Sequence, residues 1–164
     1  KKYAIKNNFK FIKKLKKLSR NSANGNDLLN YHSKIIDADL YFQLFVTAPL
    51  LSIKNINKCI SLLKNSKKKD SIFTIVKEQS FYWFNGKSLN YKTTILPRSQ
   101  KLNPVIRETT GLYGIKKKAL KKRRCRIGYK PILHEVSSYE SIDIDNKIDL
   151  LFLDNLIKNN KIKQ

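Results

Sequence analysis

The segment SIDIDNKIDLLF, Ser141 to Phe152, gathers three of the chain's twelve acidic residues, Asp143, Asp145 and Asp149. In an extended segment, residues two apart point the same way. Asp143 and Asp145 therefore present two carboxylates together, while Ile142 and Ile144 face the core behind them. Adjacent carboxylates repel one another unless a cation lies between them. Mg²⁺ is held in this manner, by one or two carboxylates together with waters and phosphate oxygens. The same residues also suit a strand end followed by a helix cap, with Asp145 or Asn146 capping a helix from Lys147. Asp149 belongs to the first turn of that helix, where negative charge is favourable, and not to the metal pair.

Such a pair needs a scaffold. Leu40 to Val46, LYFQLFV, is apolar almost throughout and reads as a strand buried on both faces, as in a parallel sheet. Pro49 ends it and Ser52 caps a helix whose Ile53, Ile56, Cys59, Ile60 and Leu63 form one apolar stripe. Ser71 to Val76 is the next strand, so the three elements make a βαβ unit. Asn85-Gly86 is a strong hairpin signal, and Phe81 to Ile95 reads as a β-ribbon excursion whose aromatics suit a subunit contact. Leu112 to Ile115 and Ile132 to Val136 are strands, Lys116 to Arg124 a basic helix, and Ile148 to Ile157 a closing amphipathic helix. The loop NSANGND, Asn21 to Asp27, precedes a short helix to His32, capped by Asn26 or Asp27. The opening residues, KKYAIKNNFKFIKKLKKLS, follow no single period and read as strand or helix. Alternating strands and helices give an α/β fold.

The composition fits one folded domain. The chain has 164 residues, 41% hydrophobic and 10% aromatic, which argues against disorder despite a net charge of +23. No apolar run approaches the length of a bilayer span, and no secretory signal opens the chain. Cys59 and Cys125 match no ligand spacing and read as free thiols of a cytoplasmic protein. The charge is mostly lysine, accompanied by asparagine and isoleucine, and reads as a solvated surface. Basic clusters such as KKKALKKRRCR still attract phosphate-bearing ligands by general electrostatics. His32 and His134 read as structural, and no Ser-His-Asp order is visible.

The segments RSQKLNPVIRETTGLYGI (Arg98 to Ile115) and SIDIDNKIDL, with LSRNSANGNDLL and LFVTAPLLSIKNI before them, together resemble the acylneuraminate cytidylyltransferases, or CMP-sialic acid synthetases. Order and spacing agree along nearly the whole chain. The resemblance implies a three-layer α/β nucleotidyltransferase domain, usually a homodimer, with residues 80–109 as a dimerisation and sugar-side excursion. It implies a reaction in which the anomeric hydroxyl of sialic acid, or a related nonulosonic acid, attacks the α-phosphate of CTP. The products are a CMP-sugar and pyrophosphate.

Carried over by position, Asp143 and Asp145 are similar to the family's Mg²⁺-binding catalytic pair. Arg98 and Arg107 match its two sugar-side arginines, whose planar guanidinium groups suit a carboxylate; Arg107 equally suits an ion pair with Glu108 or Glu140. Tyr113 matches a tyrosine lining the sugar pocket, or is a core strand residue, and Gln100 is a sugar-side amide or a structural one. Asn21, Ala23, Asn24 and Gly25 fall where the family's loop approaches cytosine, and also suit an ordinary turn. Departures from the pattern are Phe45 in place of a sugar-contacting glutamine and Leu51 in place of an arginine. No stretch matches the family's glycine-rich, lysine-bearing triphosphate segment, and the chain opens on Lys1 with no methionine. The expectation is a chain truncated at its N-terminus and unable to turn over CTP alone. A basic RNA-binding or ribosome-associated module is the alternative, judged less apt because Phe42, Phe45 and Phe73 sit in apolar strands; a degenerate member kept for subunit association is a third.

Overall fold

A computed structural model describes residues 1–20 and 23–159. Along the described chain come α1 (Lys2–Lys6), α2 (Gly25–Ile35), β1 (Leu40–Leu44), α3 (Ile53–Asn65) and β2 (Ser71–Glu78). The hairpin β3 (Trp83–Phe84) and β4 (Lys87–Ser88) follows, then β5 (Val105–Lys116), α4 (Lys117–Arg123), β6 (Pro131–Glu135) and α5 (Lys147–Lys158).

The main sheet has the order β1-β5-β2-β6 among the described residues. β6 runs parallel to β2, whereas β5 is antiparallel to both β1 and β2. The β1-α3-β2 crossover is therefore real, but its two strands do not touch, because β5 lies between them. This corrects the reading of residues 40–46 as a parallel-sheet strand, while its cover on both faces holds, with Tyr41 under α2 and Leu40 and Phe42 under α3. β1 stops at Leu44, pairs only with β5 among the described strands, and leaves Val46 92% exposed. A run of apolar residues reads alike in either pairing sense, so its neighbour was not legible locally.

Helices cover both faces. On one, Leu29 of α2 and Ala119 and Leu120 of α4 pack on Tyr41 and Ile115. On the other, Cys59 and Leu63 of α3 pack on Ile72 and Leu112, with Ile56 at their margin, while Ile53 is 76% exposed. This is the expected three-layer α/β architecture. Burial pushes the Cys59 thiol up to about 12, so it behaves as a small apolar side chain.

β5 has twelve residues, not the four expected. Its tight packing explains Gly114, which pairs with Phe42 on one side and Ile72 on the other. A Cβ there would stand 2.3 Å from Phe42 Cε1 and 2.8 Å from Ile72 Cγ2. Asn85 and Gly86 both take positive φ (49° and 74°), as the expected tight hairpin requires. The ladder around that turn is only two residues per strand, so the ribbon is shorter than Phe81 to Ile95. Trp83 and Phe84 are both exposed on it. The opening segment forms only α1 and a 3₁₀ turn at Lys16–Ser19.

Candidate active site

The site is organised by an irregular stretch of β5. While β2 advances from Phe73 to Ile75, the paired residues on β5 run from Tyr113 back to Glu108. The surplus is folded into a bulge around Thr74. There the Thr109 hydroxyl donates to the Thr74 carbonyl (3.1 Å), the two hydroxyls meet at 2.6 Å, and the Leu112 amide donates to Thr74 Oγ1 (3.3 Å). Both threonines are buried, so these bonds replace the ladder that the bulge interrupts. The result re-aims Arg107, Glu108, Thr110 and Tyr113.

Thr110 donates its hydroxyl to Asp143 Oδ2. Asp143 Oδ1 is buried and has no hydrogen-bond partner among the described residues. Leaving a carboxylate oxygen so placed is costly. A cation beside it would remove that cost, so this oxygen suits a divalent ion. Asp145 is exposed, and its backbone amide is held at 2.9 Å by the Asp149 carboxylate. Asp149 and Asn146 form the reciprocal capping box of α5, which confirms Asp149 as a helix-start residue. No cluster of three or more His, Cys, Asp or Glu side chains suited to a metal occurs among the described residues.

The segment carrying the two aspartates is anchored by Glu140. Its Oε1 accepts from Ser52 Oγ (2.6 Å), the Ser52 amide (3.1 Å) and Asn55 Nδ2 (2.7 Å). Its Oε2 accepts from the Ser137 amide and hydroxyl. Burial raises its pKa, but the Ser52 and Asn55 side chains and the backbone amides outweigh this and bring it down to about 2. The carboxylate thus ties the α3 N-terminus to the turn before Asp143, and the Ile144 amide bonds the Thr47 carbonyl (2.8 Å) beyond β1. Ser137-x-x-Glu140 carried a local turn signal; its long-range partners carried none.

Arg107 joins the same neighbourhood. Its Nε meets Glu78 Oε1 at 2.5 Å, and Nη2 donates to Ser141 Oγ at 3.2 Å. The partner is Glu78, neither Glu108 nor Glu140. Tyr82's hydroxyl and then Arg107 hold Glu78 below the usual carboxylate range.

Tyr113 lies on the opposite face. It is buried, stacked on Phe73 (centroids 6.1 Å apart) and edge-on to Phe45 (6.1 Å), and its hydroxyl donates to Glu108. Burial and that bond push its pKa up. Arg126, which the sequence did not single out, lays its guanidinium 3.6 Å from the Tyr113 ring centroid. Asn24 and Gly25 reach this side as the N-cap and first residue of α2, which corrects the expected cap at Asn26 or Asp27. The Asn24 side chain accepts from the amides of Asn26 and Asp27, and the Asp27 carboxylate accepts from the Asn24 amide. Gln43 Nε2 donates to the Gly25 carbonyl (2.9 Å), leaving Gln43 Oε1 buried without a partner among the described residues.

The remaining residues stand apart. Ala23 is half-buried just before the cap, and Asn21 lies outside the described residues. Arg98 is exposed before a 3₁₀ turn (Ser99–Lys101), and Gln100 is exposed with its carbonyl bonded by Gln79 Nε2 (2.7 Å). A depression of about 840 Å³ opens at the far end of β1 and β5. Its walls are Lys64, Lys116, Lys117, Lys118 and Lys121 with Asp39 and Leu40, a solvated basic face remote from the aspartates.

No protein-family model matches the chain, and neither does any curated protein. Solved structures do. The bifunctional IspDF from Campylobacter jejuni superposes with a TM-score of 0.60 at 19% identity, over 92% of this chain and 38% of that one. CMP:2-keto-3-deoxy-manno-octonic acid synthetase, solved in complex with CTP, gives 0.56 at 10% identity over 85% and 70% of the two chains. The 4-diphosphocytidyl-2C-methyl-D-erythritol synthase of Anaerococcus prevotii DSM 20548 gives 0.56 at 15% identity over 84% and 68%. The chain thus spans well under half the length of IspDF and about seven-tenths of the other two. Identities this low speak to architecture: the chain has the nucleotidyltransferase-type α/β fold that these synthases share.

Proposed function

We propose that the protein is a cytidylyltransferase, or most of one, that couples CTP to an acidic 2-keto-3-deoxy sugar. The observation carrying this reading is the placement of the two orphaned oxygens, Asp143 Oδ1 and Gln43 Oε1. Both lie beside the end of β1 and the bulge of β5, in a fold shared with a synthetase solved with CTP. Buried polar atoms without partners are rare, and each of these marks a place for a ligand group. The same reading favours sialic acid or a related nonulosonic acid as the sugar, on the residue pattern from Arg98 to Asp145.

Asp143 and Asp145 would hold Mg²⁺. Bound there, the ion would offset negative charge on the phosphates as the displacement proceeds. The sugar's anomeric oxygen forms the new bond to the α-phosphorus, the bond to the bridging oxygen breaks, and pyrophosphate leaves as the hydroxyl proton is released. Thr110 orients one oxygen of Asp143, and Glu140 fixes the segment on which both aspartates ride. Asn24 and Gly25 place the α2 N-terminus toward the nucleotide. The exposed Phe81, Trp83, Phe84, Ile95 and Leu96 of the excursion suit the interface of a homodimer. Among the described residues no helix is long and apolar enough to cross a membrane. The RNA-binding alternative gains nothing, since Phe73 and Phe45 pack around Tyr113 and form no open stacking platform.

Calorimetric titration tests the reading. CTP binding is expected to require Mg²⁺ and to weaken about tenfold or more in Asp143→Asn. Equal binding without Mg²⁺, or equal affinity for any nucleoside triphosphate, would reject it.

A further inference from the structure

Among six arginines, Arg126 has surroundings unlike the solvated lysines around it in sequence. Its side chain is 26% exposed. The guanidinium carbon lies 3.6 Å from the centroid of the Tyr113 ring and 5.8 Å from that of Phe45. Stacking of this kind orients the planar fork edge-on to whatever approaches. One donor, Nη2, reaches Glu108 Oε1, at 3.4 Å. That is well beyond the 2.7–2.9 Å, roughly, of a good charge-assisted bond. Nε and Nη1 donate to no described residue, and Nη1 lies 3.2 Å from where a Cβ on Gly25 would stand. Glycine at the α2 N-terminus thus leaves room beside the fork.

The loop that carries Arg126 is fastened on two sides. From α2, Asn26 Oδ1 accepts the Arg126 amide (2.8 Å) and Asn30 Nδ2 donates to the Arg124 carbonyl (2.8 Å). From the start of β2, Asp70 accepts the amides of Tyr129 (2.8 Å) and Lys130 (2.9 Å), and Ser71 Oγ that of Gly128 (2.8 Å). Gly128 fits because a Cβ there would stand 2.3 Å from Asp70 Oδ1. Arg123 closes the loop onto the Gly128 carbonyl. A half-buried cation on so rigid a mount, with donors left over, is prepared for an anion and does not need one to stay folded.

The geometry points to Arg126 as the residue that binds the carboxylate of the acidic substrate, with Glu108 as its internal stand-in. The inference rests on the proposed function and adds a specificity-determining residue that neither the motif resemblance nor the neighbours supplied. A carboxylate accepts two parallel bonds from the fork, which the long single contact to Glu108 does not provide. Arriving substrate displaces Glu108, whose carboxylate keeps its bond from the Tyr113 hydroxyl.

The test uses the whole chain and two probes, N-acetylneuraminic acid and 2-keto-3-deoxy-manno-octonic acid, each against its methyl ester, followed by calorimetry. The wild type should prefer acid over ester for at least one probe. Arg126→Gln should weaken the acid about tenfold or more and erase the preference. Arg126→Lys should recover only part of it. Glu108→Gln, which removes the stand-in, should tighten acid binding a few-fold, the opposite of what a merely structural contact predicts. That variant also decides the matter if Arg126→Gln does not fold. Loss of CTP affinity in Arg126→Gln with acid binding intact would assign the fork to phosphate and overturn the inference. So would a wild type indifferent to esterification, or one binding neither acid. CTP titration of the wild type is read separately: its failure would reject the nucleotide reading while leaving an acid preference lost in Arg126→Gln standing.

Discussion

Two arginines flank β5, and they are held in opposite ways. Arg107 is tied to Glu78 at 2.5 Å and braced by Ser141 at 3.2 Å. Arg126 stacks on an aromatic floor and touches Glu108 only at 3.4 Å. Arg107 and Glu108 are chain neighbours, so the strand sends one charge to each side. The first pair is closed and belongs to the support of the Asp143 segment. The second is loose and belongs to recognition. The two guanidinium groups thus differ in how fully their donors are consumed, and the motif resemblance, which named Arg107 and not Arg126, does not contain that information.

Moving the strand itself should damage both sides at once and give the largest effect. Gly114→Ala forces a methyl group into Phe42 and Ile72, and a loss of about 1–3 kcal/mol is expected from denaturant unfolding. Acid binding and Mg²⁺-dependent CTP binding should then weaken together; loss of only one would mean that the sides are not coupled through β5.

Glu140→Gln strikes the Arg107 side alone. It removes a charged acceptor of five hydrogen bonds, at an expected cost of about 2 kcal/mol. The Mg²⁺ dependence of CTP binding should fall while the acid-over-ester preference stays. The pH dependence sharpens this. Glu140's pKa is about 2 when folded, below its ordinary 4.5, so its stabilisation is full above that ordinary value and is lost as pH falls toward 2. His134 is also lowered, chiefly by burial, so its contribution fades as pH drops below its ordinary 6.5. Unfolding midpoints of Glu140→Gln should flatten below pH 4.5 and keep the His134 limb; an unchanged acid limb would discount the Glu140 anchor.

Arg107→Gln should cost least, under about 1 kcal/mol, because the side chain is 46% exposed and surface ion pairs are weak. A larger loss by thermal or denaturant unfolding would show that the closed pair is a structural keystone and would widen the contrast with Arg126.

Much of the fold was legible because its signals are local. Ser52 caps α3, Asn85-Gly86 turns the hairpin, and Asp149 completes the α5 cap, each through groups within a few residues of one another. The α/β class followed from the same alternation. The antiparallel insertion of β5 and its bulge were not legible, since pairing sense and register depend on strands more than twenty-five residues away.

The candidate site divides in the same way. The amino-acid sequence by itself determined that Asp143 and Asp145 share the short segment before α5 and that Tyr113 and Gly114 ride on one strand, because those relations lie along the chain. Only the tertiary structure decided that Asp143 keeps one oxygen buried against β5 without a partner among the described residues, that Glu140 anchors its segment to α3, and that Arg126 rests on Tyr113. Each of these is a contact across the sheet or between layers, where packing and desolvation choose the partner, and no spacing along the chain encodes it.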